Sequence, residues 1–118
     1  MHVGMSVIFQ NPGERIPDQQ VYQQDLALAL QAEDLGFDSV WSVEHHFTSY
    51  TMCPDVLQFL TYMAGATQSI KLGSMVCVLP WHDPLRVTEQ ISMLDNLSDG
   101  RLILGLGRGT GKVEFDGF

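Results

Sequence analysis

At 118 residues the chain has the size of one small domain, and 45% apolar against 17% charged residues argues for a packed core rather than disorder. A net charge of −8 repels phosphate backbones, and the six Lys and Arg residues form no basic stripe, which argues against nucleic-acid binding. The N-terminus lacks a signal-peptide pattern, no run approaches the roughly 20 apolar residues that span a bilayer, and Cys53 and Cys77 lack disulfide or zinc spacing, so a soluble protein of a reducing, cytoplasmic compartment is expected.

Val3 to Phe9 is a short apolar run that ends at Asn11-Pro12-Gly13, which reads as a strand and a loop. Pro17-Asp18 opens a first helix, in which Leu26, Ala29, Leu30 and Glu33 recur at helical spacing, with Gly36 as its closing C′ glycine. Asp38 to Val43 is a second strand. A loop from His45 to Pro54 leads to a second helix, about Asp55 to Gln68, with Pro54 suited to its first turn. Leu72 to Leu79 is a third, almost continuously apolar strand. Asp83-Pro84 caps and starts a third helix whose stripe is Val87, Ile91, Leu94 and Leu97, and Gly100 ends it. Arg101 to Leu106 is a fourth strand, followed by a glycine-rich stretch and a short tail. Strands this apolar, alternating with helices, predict an α/β fold with a parallel sheet and right-handed crossovers. Both the doubly wound open sheet and the eight-stranded barrel use this pattern.

Strand ends carry the chemistry in such folds, and the exit of the second strand reads Val43-Glu44-His45-His46-Phe47. A histidine there can act as general base near neutral pH, with a carboxylate to fix its tautomer. The alternative is that these groups only cap a strand. Adjacent residues on an extended chain point to opposite sides, so Glu44, His45 and His46 do not converge on one ion. His82 or Asp83 could join one of them, but the spacing is not that of a zinc site, and no metal is expected. The run from Gly105 to Lys112 fails as a P-loop, because Leu106 stands where the first glycine belongs and Val113 follows the lysine. It fails as a dinucleotide fingerprint because Thr110 or Lys112 falls at the third glycine. What remains is a flexible strand exit with a cation, Arg108, set between glycines. That arginine could hold a phosphate, or the glycines could simply let the chain turn.

Gly36 to Phe47, Gly65-Ala66-Thr67, Val78-Leu79-Pro80, Asp83 to Arg86, Leu94-Asp95, Ser98 to Arg101 and Gly105 to Gly109 follow one another in an order and at spacings that resemble bacterial luciferases and their flavin-dependent monooxygenase relatives. The resemblance implies the N-terminal half of a (β/α)8 TIM barrel, four parallel strands and three helices, with residues 1–118 as one incomplete domain. It implies reduced FMN, supplied by a separate flavin reductase, and O2 acting on a small organic substrate such as an aldehyde. Relatives that use the deazaflavin F420 share the barrel, and a truncated flavin-binding or partner subunit is a non-catalytic alternative. By position, His45 is the implied catalytic base, with Glu44 and His46 in support. Met75 and Val76 fall where the family has a non-proline cis peptide beneath the flavin ring, and Arg108 falls where an arginine approaches the flavin phosphate. Helices 55–68 and 84–97 are the implied dimer interface. Gly107 departs from the luciferases, some of which carry a reactive cysteine there, so the resemblance is to the wider monooxygenase family.

Overall fold

A computed structural model describes all residues 1–118. Four short strands, β1 (Gly4–Ser6), β2 (Ser39–Ser42), β3 (Lys71–Ser74) and β5 (Leu102–Ile103), form one parallel sheet in the order β1-β2-β3-β5. Met5, Val40, Leu72 and Leu102 stand in register across it. Helices α1 (Asp18–Gln31), α2 (Val56–Ala66) and α3 (Pro84–Leu97) are the crossovers between successive strands. They cover one face, and 18 buried residues, among them Val40, Leu60, Met63, Leu72 and Leu94, pack between helices and sheet. The opposite face presents Trp41, whose ring lies across Gly4 and Gly73. A β-carbon at Gly73 would fall 2.2 Å from it.

Two expected strands are each broken in two. The third stops at Ser74 and resumes as β4 (Cys77–Val78), and the fourth resumes as β6 (Leu106–Gly107). β4 and β6 pair with each other in a separate parallel ribbon, Cys77 opposite Leu106. The break falls at Met75–Val76, whose peptide is cis. The tail also differs from expectation: Lys112–Gly117 is a fourth helix, α4.

The helix ends follow the chain's local chemistry. Asp83 accepts from the N–H groups of Leu85 and Arg86, with Pro84 at the first helical position. Asp55 caps α2 by accepting from Gln58 N–H, so Pro54 precedes the cap rather than entering the first turn. α1 ends at Gln31, before Gly36. Gly36 still takes the positive φ expected of it, +83°. Leu97 is exposed, so the buried stripe of α3 stops at Leu94.

The far end of α2 is held by Arg101. Its buried guanidinium donates to the carbonyls of Ala64, Ile70 and Ser98 and to Thr67 Oγ1, at 2.7 to 3.2 Å. Glu33, just past α1, accepts from the N–H groups of Gln68, Ser69 and Ile70 and from the Ser69 hydroxyl. These contacts tie α1, the loop before β3 and the start of β5 together at the end of the sheet where the strands begin. The opposite end, where the strands finish, carries the polar cluster.

Candidate functional site

Beyond Ser42 the chain leaves the sheet, and its next side chains alternate. Glu44 turns inward and is fully buried. Its Oε1 lies 3.0 Å from His46 Nε2 and 2.8 Å from His82 Nε2, and its Oε2 accepts the Val78 N–H at 2.9 Å. An ionised carboxylate only accepts, so both imidazoles donate through Nε2–H. The exits of β2 and β4 are joined through this one carboxylate.

His45 turns the other way, as extended geometry requires. Its Nδ1 lies 2.9 Å from Glu114 Oε1, and that same oxygen accepts the His46 backbone N–H at 3.1 Å. Glu114 is buried. Burial raises its pKa, but the His45 hydrogen bond and the His46 N–H outweigh it and hold the carboxyl below its ordinary value. α4 is fastened over this end by its aromatic residues: Phe118 stacks on Trp81 at 5.0 Å, and Phe115 meets Trp81 edge-on at 4.8 Å.

Of the six residues expected to act here, five line one cavity of about 230 Å³: Glu44, His45, Met75, Val76 and Arg108, with Glu114 beside them. His46 does not. It lines a larger cavity, about 760 Å³, with Tyr22, Phe47 and Met52, and His45 is common to both cavities. Arg108 is exposed and takes part in none of the chain's ion pairs. The glycines before it allow a close approach. A β-carbon at Gly107 would stand 2.3 Å from Val76 Cγ2, and one at Gly105 would stand 2.3 Å from the Ser74 carbonyl oxygen. Any side chain at 107, a cysteine included, therefore requires Val76 to move.

A trio of possible metal donors that the sequence spacing did not single out comes together here. Glu44, Cys77 and His82 place their ligand atoms within 4.8 Å of one another. The break after Ser74 brings Cys77 to Glu44, which regular strand alternation does not anticipate. Burial and the Glu44 carboxylate push the Cys77 thiol up to about 12, and Glu44 already accepts three hydrogen bonds. The group is thus arranged as a satisfied hydrogen-bond network with a neutral thiol. Burial likewise pushes the Cys53 thiol up to about 11.

Sequence reasoning missed Glu114 altogether. It lies 69 positions from His45, in a tail with no helical periodicity to flag it. His82 was visible as a strand-exit residue able to join one of Glu44, His45 and His46, but not as the hydrogen-bond partner of Glu44.

A sequence profile of the luciferase-like monooxygenases matches residues 1–118. The alkanal monooxygenase alpha chain of Photorhabdus laumondii is 34% identical over 96 residues, which are 81% of this chain and 27% of that one. Among solved structures, monooxygenase RslO1 from Streptomyces bottropensis superposes with a TM-score of 0.90 at 34% identity, covering 99% of this chain and 36% of that one. The oxygenating constituent of 3,6-diketocamphane monooxygenase from Pseudomonas putida, solved with FMN, gives 0.87 at 26% identity, over 97% of this chain and 31% of that one. The coenzyme F420 dependent tetrahydromethanopterin reductase of Methanopyrus kandleri gives 0.70 at 27% identity, over 98% of this chain and 29% of that one. This chain therefore spans about a third of the length of the proteins it matches. No helix is long and apolar enough to cross a membrane. The parallel sheet with covering helices is one arc of the TIM barrel of these proteins, and the chain belongs to the luciferase-like monooxygenase family.

Proposed function

We propose that this chain is the N-terminal portion of an FMN-dependent monooxygenase that oxidises a small organic substrate with O2, and that by itself it does not turn over. The observation that carries the reading is the position of His45 as a wall common to two cavities. The smaller one, at about 230 Å³, is below the size of a whole flavin and would take one part of it. Its floor is the Met75–Val76 peptide against Gly107, and its rim carries Arg108, a cation with no internal partner. An unpaired guanidinium beside glycine amides is a good phosphate ligand. Met75, Val76 and Arg108 would hold the cofactor. When bound, reduced FMN supplies the electrons that activate O2. The larger cavity, at about 760 Å³, falls within the range of small-molecule sites and would admit the substrate.

In this reading His45 takes a proton from the reacting centre, and Glu44 fixes His46 and His82 so that the β2 and β4 exits keep their spacing. A titratable imidazole at a cavity wall is suited to that step. The closer likeness to the FMN-bound structure, 0.87 against 0.70, favours FMN over F420. The diketocamphane relative is the oxygenating constituent of its monooxygenase, which supports a separate reductase as partner. Exposed Tyr62 on α2 with Leu85, Met93 and Leu97 on α3 supports pairing of subunits through these two helices. Two buried free cysteines are consistent with a reducing, cytoplasmic location.

The test is His45→Ala in a complete-barrel protein containing this chain. FMN affinity should stay within about threefold while turnover with an aldehyde or ketone panel falls about 10²–10⁴-fold, the usual contribution of a general base. Unchanged turnover would remove the role given to His45.

A further inference from the structure

We propose that Glu114 is the positioning residue of His45, holding the imidazole through Nδ1–H so that Nε2 carries the lone pair that accepts the proton. The inference rests on His45 being the base of the reaction proposed above.

Three observations carry it. First, Glu114 Oε1 lies 2.9 Å from His45 Nδ1, a hydrogen-bond distance. An ionised carboxylate only accepts, so the neutral ring must place its proton on Nδ1. Second, the carboxylate is fixed independently of the ring. Its Oε1 also accepts the His46 N–H at 3.1 Å, and the residue is 2% exposed. The hydrogen bonds from His45 and His46 hold its carboxyl below the ordinary range, so it is ionised near neutrality. Third, the backbone around Glu114 is seated. Glu114 N–H donates to the Gly111 carbonyl at 3.0 Å, and a β-carbon at Gly111 would come within 3.1 Å of Glu114 Oε2. Phe115 and Phe118 anchor the same helix to Trp81. The neighbouring carboxylate, Glu44, bonds His46 and His82, so the two carboxylates hold different rings. A group that fixes tautomer and orientation in this way serves its base as the aspartate of a hydrolase triad serves its histidine.

A purely structural tether would fix the same tautomer but would leave kcat unchanged when it is removed, so tautomer and turnover are read together. The experiment is therefore ¹⁵N NMR of the histidine rings in a complete-barrel protein containing this chain, with turnover measured in parallel. In the wild type, neutral His45 should be the Nδ1–H tautomer. Glu114→Gln retains an acceptor for both N–H groups and should retain that tautomer, with turnover lowered about tenfold by loss of the charge facing the imidazolium. Glu114→Leu removes the acceptor. It should shift His45 away from Nδ1–H and lower kcat about 10²–10⁴-fold with KM changed less than about threefold. If the leucine variant does not fold, the wild-type tautomer and the glutamine variant decide the question. An Nε2–H tautomer in the wild type, or an unchanged tautomer in Glu114→Leu, overturns the proposal. A tautomer that shifts as expected while turnover stays constant would instead overturn the assignment of His45 as base.

Discussion

Glu33→Gln separates the charge of one side chain from its shape. Glu33 accepts from Ser69 Oγ and from three successive backbone N–H groups, those of Gln68, Ser69 and Ile70. The Ser69 hydroxyl, then the Gln68 N–H, lower its carboxyl pKa from 4.5 to about 2, against a smaller opposing effect of burial. Without solvent screening, a lowering of that size corresponds to about 3 kcal/mol. The side chain is only partly covered, so solvent screening reduces this to about 1–2 kcal/mol. The sign follows from linkage. A folded pKa below the unfolded one stabilises above the unfolded value, and the contribution disappears as pH falls through the folded value. Urea unfolding of a complete-barrel protein should therefore show Glu33→Gln less stable by about 1–2 kcal/mol at pH 7. The gap should narrow below pH 4.5 and close near pH 2. An equal gap at all pH values, or none at pH 7, would refute the reasoning that the ionised carboxylate holds this corner.

Arg101→Met removes a buried guanidinium that donates four hydrogen bonds and should cost about 3 kcal/mol in urea unfolding, because the carbonyls of Ala64 and Ile70 lose a charged donor. Less than about 1 kcal/mol would mean that water replaces it freely. Gly107→Ala should destabilise by about 1–3 kcal/mol and weaken FMN binding, since its β-carbon meets Val76 Cγ2, and Val76→Ala in the same protein should restore part of both. The 118-residue chain expressed alone should self-associate on size-exclusion chromatography, because β1 and β5 are open sheet edges and Leu104 and Leu106 are exposed.

The alternation of strands and helices was legible because each element carries its own local signal. Asp83-Pro84 marks a helix start by chemistry alone, and Val40, Trp41 and Val43 between Gly36 and the polar Glu44-His45-His46 exit mark a strand. The breaks at Ser74 and Ile103 carry no such signal: Met75, Val76 and Leu104 are as apolar as a continuous strand would be. The fourth helix was hidden because Lys112–Gly117 is short and gains its order from Phe115 and Phe118 packing on Trp81, a contact across more than thirty positions. At the site, Glu44 and His45 announced themselves as polar residues at a strand exit. Their partners His82 and Glu114 come from distant segments, and only the folded chain brings them together. Arg101 gave the opposite lesson. It reads as the polar start of a strand, yet it is buried and closes α2.

The most direct test of the functional account is a paired titration of a complete-barrel protein containing this chain with reduced FMN and reduced F420, followed by oxygen uptake with an aldehyde and ketone panel. The account predicts saturable FMN binding, weakened by Arg108→Ala, with substrate-dependent oxygen uptake. Preferential binding of F420, with substrate turnover that proceeds without oxygen, would contradict it.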